Sequence, residues 1–319
     1  MIWLTWRQQR LEAMIGASVL TLVTMLLIWS GHDMSLAYKN MGVATCLAHD
    51  PSPQACQAVA QAFQTRFSSL TGLATWLNFL PLLFGVLLAA PFVLDLEHGT
   101  YRLAWTQSIT RRRWVRVKLG LIVAIVVLVS LFLTILTSWW NNPTDHIVSR
   151  LDPNQFDFEG TVPIAYTIFV AALCLAMGSI LRRSIPAIGI TLAGYLALRT
   201  VIETWVRYHY LAPVTKRIPF AAAAADQPVP TRGDYFIKAG ASIPKDIMRL
   251  CFGGSLQPPP PNAAGPSYAC FQHHGVFASV VYQPANRFWL FQGIESAIFL
   301  IPSIALLALA VWWVRYRIT

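Results

Sequence analysis

The sequence predicts an all-α polytopic membrane protein with six transmembrane helices. Three observations carry this: six apolar stretches long enough to cross a bilayer, a composition suited to lipid, and basic residues gathered at the ends of those stretches. A helix rises 1.5 Å per residue and bilayer hydrocarbon is roughly 30 Å thick, so about twenty apolar residues make one crossing. The candidates are Leu11 to Trp29, Leu73 to Leu94, Leu119 to Trp140, Val162 to Leu181, Ile185 to Val206 and Phe288 to Val314. Hydrophobic residues make up 55% of the 319 and charged residues only 12%, a balance foreign to a soluble chain of this length. The net charge of +10 does not point to nucleic acid, because the Lys and Arg mark helix ends instead of forming one basic face.

Ahead of the first span, Met1 to Arg10 is amphipathic, with Trp3 and Trp6 near Arg7 and Arg10. No small-residue cleavage site follows the apolar run, so the first span is expected to stay, preceded by a short interfacial helix over Met1 to Gln9. Pro81 and Pro91 in span two, Pro186 at the start of span five and Pro302 in span six each remove a backbone donor, so kinks or local unwinding are expected there.

Orientation follows from the cations. Arg7 and Arg10 precede span one; Arg102, Arg111, Arg112, Arg113, Arg116 and Lys118 lie between spans two and three; Arg182 and Arg183 lie between four and five; Arg315 and Arg317 follow six. With six crossings these clusters share one side, and the loops on the other side are far longer with a lower density of cations. The positive-inside rule then puts both termini in the cytoplasm. Cysteines agree, since disulfides persist in oxidising compartments. Cys46 and Cys56 share the first outer loop, Cys251 and Cys270 share the largest, and Cys174 lies inside a span. Pairing Cys46 with Cys56 and Cys251 with Cys270 is the simplest of three connectivities.

The outer loops are uneven: Gly31 to Gly72 is of medium length, Asn141 to Gly160 short and acidic, Arg207 to Arg287 large. The chain therefore divides into spans one to five with the connector 95–118 (residues 1–206), an extracytoplasmic loop or subdomain (207–287), and span six with a cytoplasmic C-terminus (288–319). In the large loop, Pro258 to Pro261 and the Ala221 to Ala225 run predict sparse regular structure. Gln54 to Ser69, by contrast, carries Val59, Phe63 and Phe67 on one helical face.

The most informative stretch is the connector between spans two and three, with Glu97-His98-Gly99-Thr100, then Thr110-Arg111-Arg112-Arg113, then Lys118. Here the chain resembles the permeases of ABC-2 type exporters, which carry a Glu, a basic or polar residue and Gly-Thr after the second span, then Ser or Thr with Arg before a Lys that opens the third. Glu97, Gly99, Thr100, Thr110, Arg111 and Lys118 match that pattern, with His98 at the variable position. The six-span plan agrees too. The opening Met1 to Arg7 and the block Gln283 to Glu295 resemble actinobacterial members.

The resemblance implies a type V exporter-like transmembrane domain whose connector is a coupling helix docked on an ATPase. The alternative for the connector is a basic turn that only obeys the positive-inside rule. No Gly-x-x-x-x-Gly-Lys-Ser/Thr phosphate loop is present, so ATP and Mg belong to a partner ABC ATPase. Six spans make half a transporter, which implies a second permease copy, identical or related. The substrate implied is amphiphilic or apolar.

Arg199 and Glu203 lie one turn apart in span five, and Glu295 lies inside span six. Charges in lipid cost at least ~2.5 kcal/mol each, so they pair or face a polar cavity. One reading is an Arg199–Glu203 or Arg199–Glu295 bridge. The other is a vestibule touched by substrate, in which Thr75 and Asn78 of span two take part. His273 and His274 lack further ligands at metal spacing, and neither HExxH nor a serine-nucleophile motif occurs, so neither a metal nor a catalytic site is expected. The competing class is a polytopic membrane sensor or enzyme without transport; the lack of a convergent catalytic set and the connector pattern argue against it.

Overall fold

The computed structural model describes residues 2–49, 53–101, 110–219, 234–241, 244–251, 270 and 273–317. Among the described residues, six helices are long and apolar enough to cross a membrane: Met14–Asn40, Ser68–Glu97, Arg112–Asp145, Val162–Leu181, Ser184–His209 and Ala285–Tyr316, hereafter spans one to six. The fourth has the bounds expected from its apolar run. The others overshoot theirs, because a helix whose backbone bonds are already made continues past the apolar stretch. The first runs unbroken from Ile2 to Asn40, ~58 Å at 1.5 Å per residue, so the expected interfacial segment is continuous with span one.

The chain forms two compact units. One holds residues 1–143, 153–207 and 289–319; the other holds 144–152 and 208–288. In the first unit, spans two and four pack most closely. A Cβ on Gly85 would stand 2.7 Å from Val170, and one on Gly178 would stand 2.4 Å from Val93. Around this contact Phe92, Leu96, Trp114, Leu119, Val126, Leu175, Ala187 and Val314 form a buried core. Phe92 stacks on Trp114 with ring centroids 5.9 Å apart.

Cross-links at the two ends show that spans two to six alternate in direction. At one end Glu97 Oε2 accepts from the Ser184 N–H (2.9 Å), Arg182 Nη2 donates to the Arg317 carbonyl (3.1 Å), and Lys118 pairs with Asp95. At the other, Arg199 Nη1 donates to the Asn78 carbonyl (2.9 Å), Thr137 Oγ1 to the Phe158 carbonyl (2.8 Å), and Arg207 pairs with Glu295 (2.7 Å).

Span two is broken. Ser68–Leu77 and Leu80–Glu97 are separate helices with turns at Asn78 and Phe79, because Pro81 cannot donate to the carbonyl four residues back. Pro91, Pro302 and also Pro143 sit inside continuous helices, and Pro186 lies in the first turn of its helix.

The outer loops carry regular structure, including a helix where Gln54 to Ser69 is expected to be helical. After Asn40, Val43–His49 and Pro53–Arg66 are helical and joined by the Cys46–Cys56 disulfide. Phe63 and Phe67 are buried together, centroids 5.0 Å apart, with Val59 half-buried. The segment 141–160 is not a solvated acidic loop. Asn141 and Asn142 still belong to the helix Arg111–Asp145, Pro153–Phe156 is a short helix, and Phe156, Asp157, Phe158 and Glu159 are all buried.

In the second unit, β1 (Val214–Pro219), β2 (Tyr235–Ala241) and β3 (Phe277–Gln283) form an antiparallel sheet in the order β1-β3-β2. The Phe-Ala-Ser-Val-Val-Tyr-Gln run of β3 has the β-branched and aromatic content of a central strand, and the proline-rich composition nearby obscured it. Cys251, at the end of the short helix Lys245–Cys251, pairs with Cys270. The Ala221 to Ala225 and Pro258 to Pro261 runs lie outside the described residues.

The close approach of spans two and four has a direct test. Gly85→Leu and Gly178→Leu are each expected to cost about 1–3 kcal/mol by overpacking, whereas Gly120→Ala, with nothing within 4 Å, leaves stability unchanged or slightly higher. Thermal unfolding of the purified protein in detergent measures this, and wild-type melting of both leucine variants would refute the packing.

Candidate functional site

Two groups of polar residues stand out in the first unit, one at each end of the bundle. The first is a buried ion cluster. Asp157, from the connector between spans three and four, accepts from Arg199 Nη2 at Oδ2 and from Arg207 Nη2 at Oδ1, both at 2.6 Å. Arg207 also reaches Glu295 of span six, with Nε to Oε2 at 3.0 Å and Nη2 to Oε1 at 2.7 Å. The Tyr166 hydroxyl, in the first turns of span four, donates to Glu295. Glu203 lies 3.9 Å from Arg199 and is half-buried.

Two arginines and two carboxylates thus balance in the interior, where an unpaired charge would be expensive. Aromatic faces complete the enclosure: the Arg207 guanidinium lies 4.4 Å from the Phe156 ring centroid and the Arg199 guanidinium 5.7 Å from that of Tyr166.

Span five reaches this geometry by changing helix type. Ser184–Val201 is α-helical, Ile202–Val206 is a π-helix and Arg207–His209 a 3-10 turn. Eight residues of regular α-helix rotate about 80° beyond two full turns, which would separate Arg199 from Arg207. The wider i→i+5 turns remove much of that rotation, so both guanidinia converge on one carboxylate.

Gln292 of span six fixes the connector that carries Asp157. Its Oε1 accepts from the N–H groups of Thr161 (3.0 Å) and Val162 (2.9 Å), the free donors at the start of span four, while Nε2 donates to the Phe156 carbonyl (2.9 Å). Gly160, at φ +72°, makes the turn beneath it; a Cβ there would fall 2.6 Å from the Gln292 amide oxygen.

The residues considered for a substrate path meet this cluster unequally. Arg199, Glu203 and Glu295 belong to it, and Asn78 joins through its carbonyl. Thr75 is exposed and makes no hydrogen bond to it. In place of an Arg199–Glu295 bridge, Glu295 takes Arg207 and Arg199 takes Asp157. Sequence reasoning missed Asp157, Arg207 and Tyr166 because two of them fell in stretches read as aqueous loops. The available signal was Phe156-Asp157-Phe158-Glu159, acidic residues alternating with aromatics that a solvated loop does not need.

The second group is the basic end. Thr110 caps the helix Arg111–Asp145, its carbonyl accepting from the N–H groups of Arg113 and Trp114. Arg112, Arg113 and Arg116 are exposed, as are Arg183 and Arg317. Thr110 and His98 are exposed too. Lys118 is buried, pairs with Asp95 and lies 5.3 Å from the Trp114 ring centroid, so it faces inward. Thr100 Oγ1 also binds Asp95 (2.8 Å), and Gly99, at φ +70°, provides the left-handed turn that ends span two. Arg111 opens the helix, and its side chain lies outside the described ones; Arg102, Ser108 and Ile109 lie outside the described residues altogether.

A family model described as ABC-2 membrane transporter related matches residues 17–207, which include both groups except Glu295, Gln292 and Arg317. The chain belongs to this family. No curated protein and no solved structure matches it. As a family member with six apolar helices, it is a multi-pass membrane protein and a transporter membrane subunit, of a kind that pairs with an ABC ATPase. Among the described residues, no group of three or more His, Cys, Asp or Glu is placed to hold a metal ion.

Removing one ion from the balanced cluster should cost far more than removing the half-exposed one. Arg207→Met, which strands Glu295 and takes one of two cations from Asp157, is expected to lower stability by about 3–5 kcal/mol, and Glu203→Gln by less than about 1 kcal/mol. Unfolding in mixed detergent micelles reads both; equal effects would show that the cluster does not act as a paired set.

Proposed function

We propose that this chain is the permease subunit of an ATP-driven exporter, moving an amphiphilic or apolar substrate outward while a separate ABC ATPase holds ATP and Mg. The observation that carries the reading is the basic end. Exposed Arg112, Arg113 and Arg116 project beside a connector tied to spans two, three and five through Asp95, Lys118 and Glu97. A surface that transmits force to membrane helices needs this combination of charge open to a soluble partner and a rigid attachment to the bundle.

The connector 95–118 is the coupling segment of this reading, with Glu97, His98, Gly99, Thr100, Thr110, Arg111, Arg112, Arg113 and Lys118 as its parts. They divide by task. His98, Thr110, Arg112 and Arg113 are open to a partner, while Thr100 and Lys118 anchor the segment from within. Both termini and the connector face the cytoplasm, and the region between spans five and six faces outward, as the distribution of cations favours.

A second permease copy, identical or related, completes the pathway. Span five exposes Gly189, Ile190, Ala193, Ala197 and Val201, a face of small and apolar residues that supports close helix approach. The ion cluster lies too deep in balanced pairs to act as a selectivity filter for charge, which favours an apolar or amphiphilic cargo.

Orientation is tested by labelling intact cells with a membrane-impermeant thiol reagent. Lys216→Cys is expected to react and Arg113→Cys to stay unlabelled until the membrane is opened; the reverse pattern overturns the reading. Coupling is tested with Arg112→Glu/Arg113→Glu. These exposed changes should leave thermal stability within about 0.5 kcal/mol of wild type while reducing copurification of the phosphate-loop ATPase at least about tenfold. Undiminished copurification would refute docking at this surface.

A further inference from the structure

Span five begins without a cap of its own. Arg183, at the N-cap position, is extended (φ −138°, ψ 127°) and its side chain makes no capping hydrogen bond. The acceptor that meets the first N–H comes from elsewhere: Glu97, the last helical residue of span two, places Oε2 2.9 Å from the Ser184 nitrogen. A carboxylate at a helix start satisfies a free donor and complements the positive end of the helix dipole. Here it also joins two spans that are 87 residues apart in sequence.

The base of this contact is firm on the span-two side. The His98 N–H donates to the Leu94 carbonyl (2.9 Å), Gly99 turns the chain, and Thr100 and Lys118 both hold Asp95. On the other side, Arg182 just before span five donates to the Arg317 carbonyl at the end of span six. Glu97 therefore ties the start of the coupling segment to the start of span five by a hydrogen bond, beside the buried core that Leu96 and Ala187 share.

We infer that Glu97 is a positioning residue through which displacement of the segment after span two is delivered to span five, and not a contact to the ATPase. This rests on the proposed role of that segment in coupling. A push on the segment moves the Glu97 carboxylate, and the first turn of span five follows because its amide is bound to it.

Two substitutions separate the roles. Ser184→Pro removes the N–H that Glu97 accepts while leaving Glu97 in place; the first helical position suits proline, and extended Arg183 suits the residue before one. Glu97→Gln keeps an acceptor oxygen but discards the charge. Each is made in the full-length permease copurified with its ATPase and reconstituted in lipid nanodiscs. An environment-sensitive fluorophore on Ile190→Cys reports span five; Cys174 is buried and the other four cysteines are paired, so this is the reactive thiol.

Ser184→Pro and Glu97→Ala are each expected to retain the ATPase but to reduce the MgATP-dependent fluorescence change at least about fivefold. The double variant should be no worse than either single one, and Glu97→Gln should keep at least about half the change. The inference is overturned if Ser184→Pro responds as wild type, or if Glu97→Gln and Glu97→Ala shed the ATPase while Ser184→Pro keeps it, since Glu97 then touches the motor. Failure of the wild-type permease to retain an ATPase or to respond to MgATP would overturn the exporter reading itself, a result distinct from loss of the response in the variants alone.

Discussion

Hydrocarbon offers no hydrogen-bond partner, and the arrangement of this bundle depends on meeting two arginines near the end of span five under that constraint. Arg199 and Arg207 together present more donors than one carboxylate can accept. The rest of that end is arranged around them: the connector after span three is drawn inward to bring Asp157, span six contributes Glu295, and the broken span two turns the Asn78 carbonyl toward Arg199. Drawing the connector inward exposes a second problem, the free donors at the start of span four, which Gln292 answers from span six. The main ion pairs and the span-four donors are each met by a residue whose own position depends on the next.

The opposite end obeys different physics. There, water can solvate the exposed guanidinia of Arg112, Arg113 and Arg116, so charge need not balance locally, and the ties are few and between neighbouring spans: Asp95 with Lys118, Glu97 with Ser184, Arg182 with Arg317. One end pairs its charges in a buried, heavily cross-linked cluster; the other is cationic, exposed and joined at discrete points. On the proposed reading, a soluble partner would meet charge at the basic end without disturbing the pairs at the other.

Spans were legible in the sequence because an apolar run of about twenty residues has few other uses. Their ends were not, since a helix such as Ile2–Asn40 continues through His32, Asp33 and Lys39 once its backbone bonds are in place. The ion cluster was half legible. Arg199, Glu203 and Glu295 stood out as charges among apolar residues, but Asp157 and Arg207 sit where chain polarity reads as loop, and sequence periodicity does not reveal a π-helix at Ile202–Val206. At the basic end, the residues of the connector were visible and their division was not: Lys118 was read with the exposed cations, although the adjacent Trp114 and the acidic Asp95 give it a buried partner and an aromatic neighbour.

Spans two and five are bridged at both of their ends, by Glu97 to the Ser184 amide and by Arg199 to the Asn78 carbonyl. Two bridges placed near opposite ends resist sliding and splaying, so the lower-cost relative motion lies inside span two, at the turns of Asn78 and Phe79 where helical hydrogen bonding is already interrupted. The same break supplies the carbonyl that Arg199 binds, and Arg199 holds Asp157. A shift of span five that bent span two at this point would therefore move the carboxylate shared with Arg207 as well. The proline that interrupts span two thus places its most deformable point in direct contact with the most tightly paired charges.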